Sequence, residues 1–81
     1  MLLLLIDPNG YQVAARSVEA SSRGQTAAEL AELARAEAAT WRDIMSGHAA
    51  RLGGPATANG RTMHERALQF RAESYRIVPQ G

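Results

Sequence analysis

Residues 1–10, MLLLLIDPNG, decide how the rest of the chain is read. Leu2 to Ile6 run without a polar break, and Asp7-Pro8-Asn9-Gly10 stops them. Asp suits the first place of a type I turn, Pro the second with its preset φ, Asn the third and Gly the fourth. With Gly10 left-handed, the turn becomes a three-residue hairpin loop. Residues 11–18, YQVAARSV, then form the return strand of a β-hairpin over 1–18. The predicted register sets Leu5 against Val13 and Leu3 against Ala15. On the other face it sets Ile6 against Gln12, Leu4 against Ala14 and Leu2 against Arg16. The odd-numbered face is the better core face.

A strand that is apolar on both faces is ordinarily covered on both. A two-stranded hairpin alone is marginal in water. One helical layer covers the odd face. Leu2, Leu4 and Ile6, or the open edge of their strand, are therefore expected to be covered by another chain.

Residues 19–25, EASSRGQ, read as a polar linker. Thr26 with Glu29 makes a capping box that opens a long helix over 26–52. Leu30, Leu33/Ala34, Ala38, Trp41, Ile44/Met45, His48 and Leu52 recur along it at helical spacing. Its length is about 39 Å if Gly47, costing ~1 kcal/mol, leaves it continuous. Gly53-Gly54-Pro55 ends it, and 53–61 is a loop. Thr62 with Glu65 makes a second capping box, and Met63, Ala67, Phe70, Ser74 and Ile77 continue a stripe through a second helix over 62–78. Pro79 stops that helix. A short connection makes two helices antiparallel neighbours. The expected fold is thus α+β, one small domain: an N-terminal β-hairpin followed by an unequal antiparallel helical hairpin. Trp41 lies on the apolar seam, expected to be buried against Phe70 or the Met63 stripe, with an anchor for a partner helix as its functional reading.

The chain has 81 residues, near the size at which a single core needs help from disulfides, metal or oligomerisation. It has no cysteine, which removes disulfides, thiolate metal sites and cysteine nucleophiles. Oligomerisation is the means left over. The net charge of +1 is too small to suggest electrostatic capture by nucleic acid or anionic lipid. All nine basic residues are arginine, and alanine is abundant. Both follow from GC-rich codons and suggest a bacterial or phage origin. The opening apolar run is shorter than the core of a signal peptide and lacks a preceding basic residue. It is far short of a membrane span. The expected location is the cytoplasm, or a particle assembled there.

No constellation carries catalysis. His48, His64, Asp43 and Glu65 match no metal-ligand spacing. The carboxylates form no evident acid–base pair, and no Ser-His-Asp arrangement stands out. The loop around Gly53-Gly54 and Gly60 lacks the lysine of a phosphate-binding loop. Catalytic, cofactor-binding and metal-ligating residues are therefore assigned to none, and no cofactor is expected. Strands that read DNA must present polar side chains to base edges, and MLLLLI presents none. Arg66, Arg71 and Arg76, five apart, would spiral around a helix instead of forming a stripe. The expectation is a non-enzymatic structural, assembly or interaction subunit of a homo-oligomer or larger particle, such as a phage virion or secretion-type assembly. Its partners would be itself or another protein subunit, met through Leu2, Leu4, Ile6 and Trp41. The alternative is a small nucleic-acid-binding regulator of the antitoxin type.

Overall fold

A computed structural model describes residues 1–80 of the chain. The fold is α+β. Two strands, β1 (Leu2–Ile6) and β2 (Gln12–Ser17), open it; a long helix α1 (Arg23–Arg51) and a short helix α2 (Ala58–Leu68) follow; a third strand, β3 (Arg76–Gln80), closes it. All strand pairs are antiparallel, in the order β2-β1-β3.

The turn forms as its residues dictate. The Gly10 amide donates to the Asp7 carbonyl at 3.0 Å, and the Asp7 amide to the Tyr11 carbonyl at 2.8 Å. Asp7 Oδ1 accepts from the amides of Asn9 and Tyr11, both at 2.9 Å. Gly10 takes φ +90°, which a side chain would resist. The expected register holds only next to the turn, where Ile6 faces Gln12. Beyond it the ladder shifts by one residue: Leu5 faces Ala14, Leu4 Ala15, Leu3 Arg16 and Leu2 Ser17. Val13 is the extra residue. A bulge of this kind places one unpaired residue in a strand and bends it, and Val13 packs against the core from there.

Two helical boundaries differ from expectation. The linker expected at 19–25 is a short 3₁₀ turn at Ala20–Ser22 running directly into α1. Thr26 is consequently inside the helix and caps nothing. Gly47 does not break α1, which continues to Arg51. The second helix starts before residue 62 because Thr57, not Thr62, caps it. Thr57 Oγ1 accepts from the Gly60 amide at 2.9 Å and donates to the Leu52 carbonyl, tying the two helix ends together. Gly53 and Gly54 turn the chain with φ of +100° and +58°. Gly60 is buried against this turn, so close that a Cβ there would overlap the Gly54 carbonyl. A residue expected in a loop is thus helical, and glycine for a steric reason.

The largest correction concerns 69–80. Instead of a helix to residue 78, α2 stops at Leu68, a 3₁₀ turn covers Ala72–Ser74, and β3 runs back along β1. Arg42 holds the end of α2 by donating through Nε and Nη2 to the Phe70 carbonyl, at 3.1 and 2.6 Å. Ile77 and Val78 are β-branched and favour strand. Pro79 lies in an edge strand, where its missing N–H interrupts no ladder. The open edge of β1 is therefore covered by the chain's own β3, correcting the expectation that another chain would cover it.

The core lies between the sheet and the first half of α1. Leu5 (0 % exposed) and Leu3 (2 %) meet Leu30 (1 %), Ala34 and Ala38, with Val18, Phe70 and Tyr75 around them. The second half of α1 extends past the sheet and carries α2 through the small buried residues Ala49, Gly60 and Ala67. The outcome is a rod of 52 × 19 × 14 Å with the sheet at one end and the helical hairpin at the other.

Candidate functional site

Two surfaces differ in composition from the rest. The first is the outer face of the sheet. Cross-strand partners point to the same side, so the register places Leu2, Leu4 and Ile6 of β1 with Gln12, Ala15 and Ser17 of β2 and Arg76, Val78 and Gln80 of β3 on one face, apolar at its centre and polar at its corners. The buried cluster that α1 joins is on the opposite face, with Leu3 and Leu5. Leu4, Ile6, Ala15 and Val78 are half-buried by one another, and Leu2 is exposed. Among the described residues no helix or loop lies over this face, since α1 backs the sheet and α2 packs on α1.

Each edge of the sheet carries a feature that discourages a further strand. β2 has the bulge at Val13, and β3 has Pro79. Bulges and edge prolines are common devices against strand addition.

The second surface is a groove of about 390 Å³ between the hairpin turn and the middle of α1. Val13, Met45 and Phe70 form its apolar floor, with Trp41 and Tyr11 beside them. Trp41 stacks on Phe70, ring centroids 6.1 Å apart, and remains 42 % exposed. The sequence places Trp41 on a buried seam. The structure leaves one face of it open, because α2 crosses α1 farther along and its end bends away at Phe70. Asp7 and Glu37 bring two carboxylates to the groove. Glu37 accepts long hydrogen bonds from Trp41 Nε1 (3.3 Å) and the Tyr75 hydroxyl (3.4 Å). Tyr75 reports this field. Burial, then the charge and hydrogen bond of Glu37, then the charge of Asp7, push its hydroxyl up to about 12. No arginine or histidine lines the groove among the described residues, where the one ion pair is Glu32–Arg35 on exposed α1.

The structure does not gather the four expected interface residues. Leu2, Leu4 and Ile6 share the outer sheet face, while Trp41 belongs to the groove on α1. Ala15 and Val78 join the first three through the register shift of β2 and the pairing of β3, neither of which has a local mark in the sequence. Glu37 had a legible signal: it precedes Trp41 by four residues on one helix, a spacing that brings side chains together.

The remaining candidates are placed as follows. His48, expected partly buried on the seam, is exposed and shares a hydrogen bond with Arg51. His64 is exposed on α2. No group of three or more metal-ligating side chains occurs among the described residues. Arg66, Arg71 and Arg76 fall on a helix, a connecting segment and a strand, with Arg71 Nε donating to the Leu68 carbonyl at 3.0 Å. No helix among the described residues is long and apolar enough to cross a membrane. No family model, curated protein or solved structure matches the chain.

Proposed function

We propose that the protein is a non-enzymatic assembly subunit that associates with further copies of itself through the outer face of its sheet. The observation that carries this reading is an apolar patch of Leu2, Leu4, Ile6, Ala15 and Val78, flanked at its corners by Gln12, Ser17, Arg76 and Gln80, on which no other element lies among the described residues. Two such faces stack at about 10 Å with their side chains interdigitated. The blunted edges favour the face over strand addition as the contact surface.

The size of the face sets the strength. Strands of five, six and five residues span about 17 by 14 Å, a footprint well under the ~800 Å² per partner of a stable interface. The association is therefore concentration-dependent, and a stable particle draws on further surfaces of the rod.

Leu4→Glu tests this. Light scattering and sedimentation across a concentration series should show wild type growing in mass with concentration and the variant staying a monomer. Circular dichroism should show the variant keeping its helices. Wild type that is monomeric at all concentrations, or a variant with unchanged mass, removes the assembly reading.

A further inference from the structure

We propose that the groove between the hairpin turn and α1 docks an arginine side chain presented by a segment of a partner protein. This does not depend on self-association through the sheet, because only Gln12, the partner of Ile6, belongs to both the groove and the outer sheet face, and none of the apolar residues of that face lines the groove.

The groove has the two features that an arginine needs together. Its walls are aromatic and its floor apolar, so a three-carbon stem can lie on Met45 and Phe70 while a flat guanidinium covers the open face of Trp41 or Tyr11. Its own charge is negative, with the basic side chain of Arg66 lining the adjoining cavity alongside Asn9, Met45 and Phe70. Asp7 and Glu37 both reach it, and no cation of the chain pairs with either among the described residues. Asp7 spends Oδ1 on the Asn9 and Tyr11 amides, which leaves Oδ2 to accept. Glu37 is held in place by Trp41 and Tyr75 through bonds long enough to leave its charge available.

Three alternatives fit less well. A lysine ammonium is compact and strongly hydrated, and cannot stack on a ring while presenting several N–H groups to a carboxylate. A neutral aromatic ligand leaves the two charges unpaired. A free arginine brings its own α-carboxylate toward Asp7 and Glu37, whereas a peptide backbone meets the side-chain amides of Asn9 and Gln12 at the rim.

Trp41 is the single tryptophan, so the site carries its own reporter. The intact protein is titrated with acetyl-Gly-Arg-Gly-amide, with its lysine and citrulline counterparts, and with free arginine. Trp41 emission and the NMR shift of its indole N–H are followed. The arginine peptide should saturate both signals with a dissociation constant on the order of millimolar, as one engaged side chain allows. The lysine peptide and free arginine should bind at least several-fold more weakly, and the citrulline peptide should not saturate. Glu37→Gln removes the charge, keeps an acceptor for Trp41 Nε1 and reverses the Tyr75 bond, its amide donating to the hydroxyl oxygen. It should weaken the arginine peptide about tenfold with an unchanged circular dichroism spectrum, and Asp7→Asn should act in the same direction. Equal responses to arginine and citrulline, or undiminished binding by Glu37→Gln, overturns the proposal. So does a wild-type oligomer that Glu37→Gln alone dissociates, since the occupant is then a second copy of this chain.

Discussion

The two halves of α1 have similar apolar spacing and very different surroundings. From Leu30 to Ala38 the helix lies on the sheet, and leucines on both sides are fully enclosed. From Trp41 to Leu52 it lies beside α2, and what is enclosed is Ala49, Gly60 and Ala67. Ile44, Leu52 and Leu68 remain on the surface there. Burial contributes about 25 cal/mol per Å² of apolar area. A seam of alanine and glycine brings helices close but removes little area from water. The sheet end therefore carries most of the stability, and the helical arm is the end that opens first, as sparse apolar burial implies.

The strongest way to break this contrast is Leu5→Ala. Leu5 is wholly enclosed, and truncations of such residues cost about 2–5 kcal/mol. For a domain of this size that is most of the total. Urea denaturation followed by far-ultraviolet circular dichroism should show the variant largely unfolded without denaturant. Next comes Gly60→Ala. Alanine ordinarily gains about 1 kcal/mol over glycine within a helix. Here the added methyl meets the backbone of Gly54, and overpacking costs about 1–3 kcal/mol. The net loss should be confined to the arm: amide exchange should quicken over residues 58–68 while β1 stays protected. Equal acceleration in both would show that the rod is one cooperative unit.

The smallest effect is an alkaline one. Tyr75 holds its proton to about 12 in the folded protein against 10 for the free side chain. A raised folded value stabilises the fold fully below pH 10, and this contribution fades as pH rises from 10 to about 12. Phenolate absorbance should show one late-titrating tyrosine, and Tyr75→Phe should remove it and flatten the loss of stability over that interval. Glu37→Gln should bring the titration earlier, since its charge contributes to the shift.

What was legible in the chain follows how local each cause is. The turn at Asp7–Gly10 is specified by its own four residues, and the helical spacing from Leu30 to Ala38 by one face of one helix. The bulge at Val13 has no local mark, because a register shift is decided by which side chains the core accepts. For the closing strand, two signals conflicted. Ile77 continues the stripe of Met63, Ala67 and Phe70, which favours helix; Ile77-Val78-Pro79 is a β-branched run before proline, which favours an edge strand. The decisive information was at the other end of the sequence. A strand as apolar as Leu2–Ile6 belongs in the middle of a sheet, and only residues 76–80 were left to pair with its second edge. The same shift hid Ala15 and Val78 from the outer face, and the groove stayed hidden because it joins the turn, α1 and Phe70 across long separations.

The pairing of β1 with β3 brings together residues 70 to 78 positions apart in the chain, from Ile6 with Arg76 to Leu2 with Gln80. Ribosomes make β1 before β3. Through the synthesis of everything up to Arg76, Leu2–Ile6 has one neighbour and one bare side. A nascent chain of this kind offers an apolar, hydrogen-bond-hungry strand of the sort that chaperones bind and that aggregates when they do not. The protein's most hazardous interval therefore precedes its folded life.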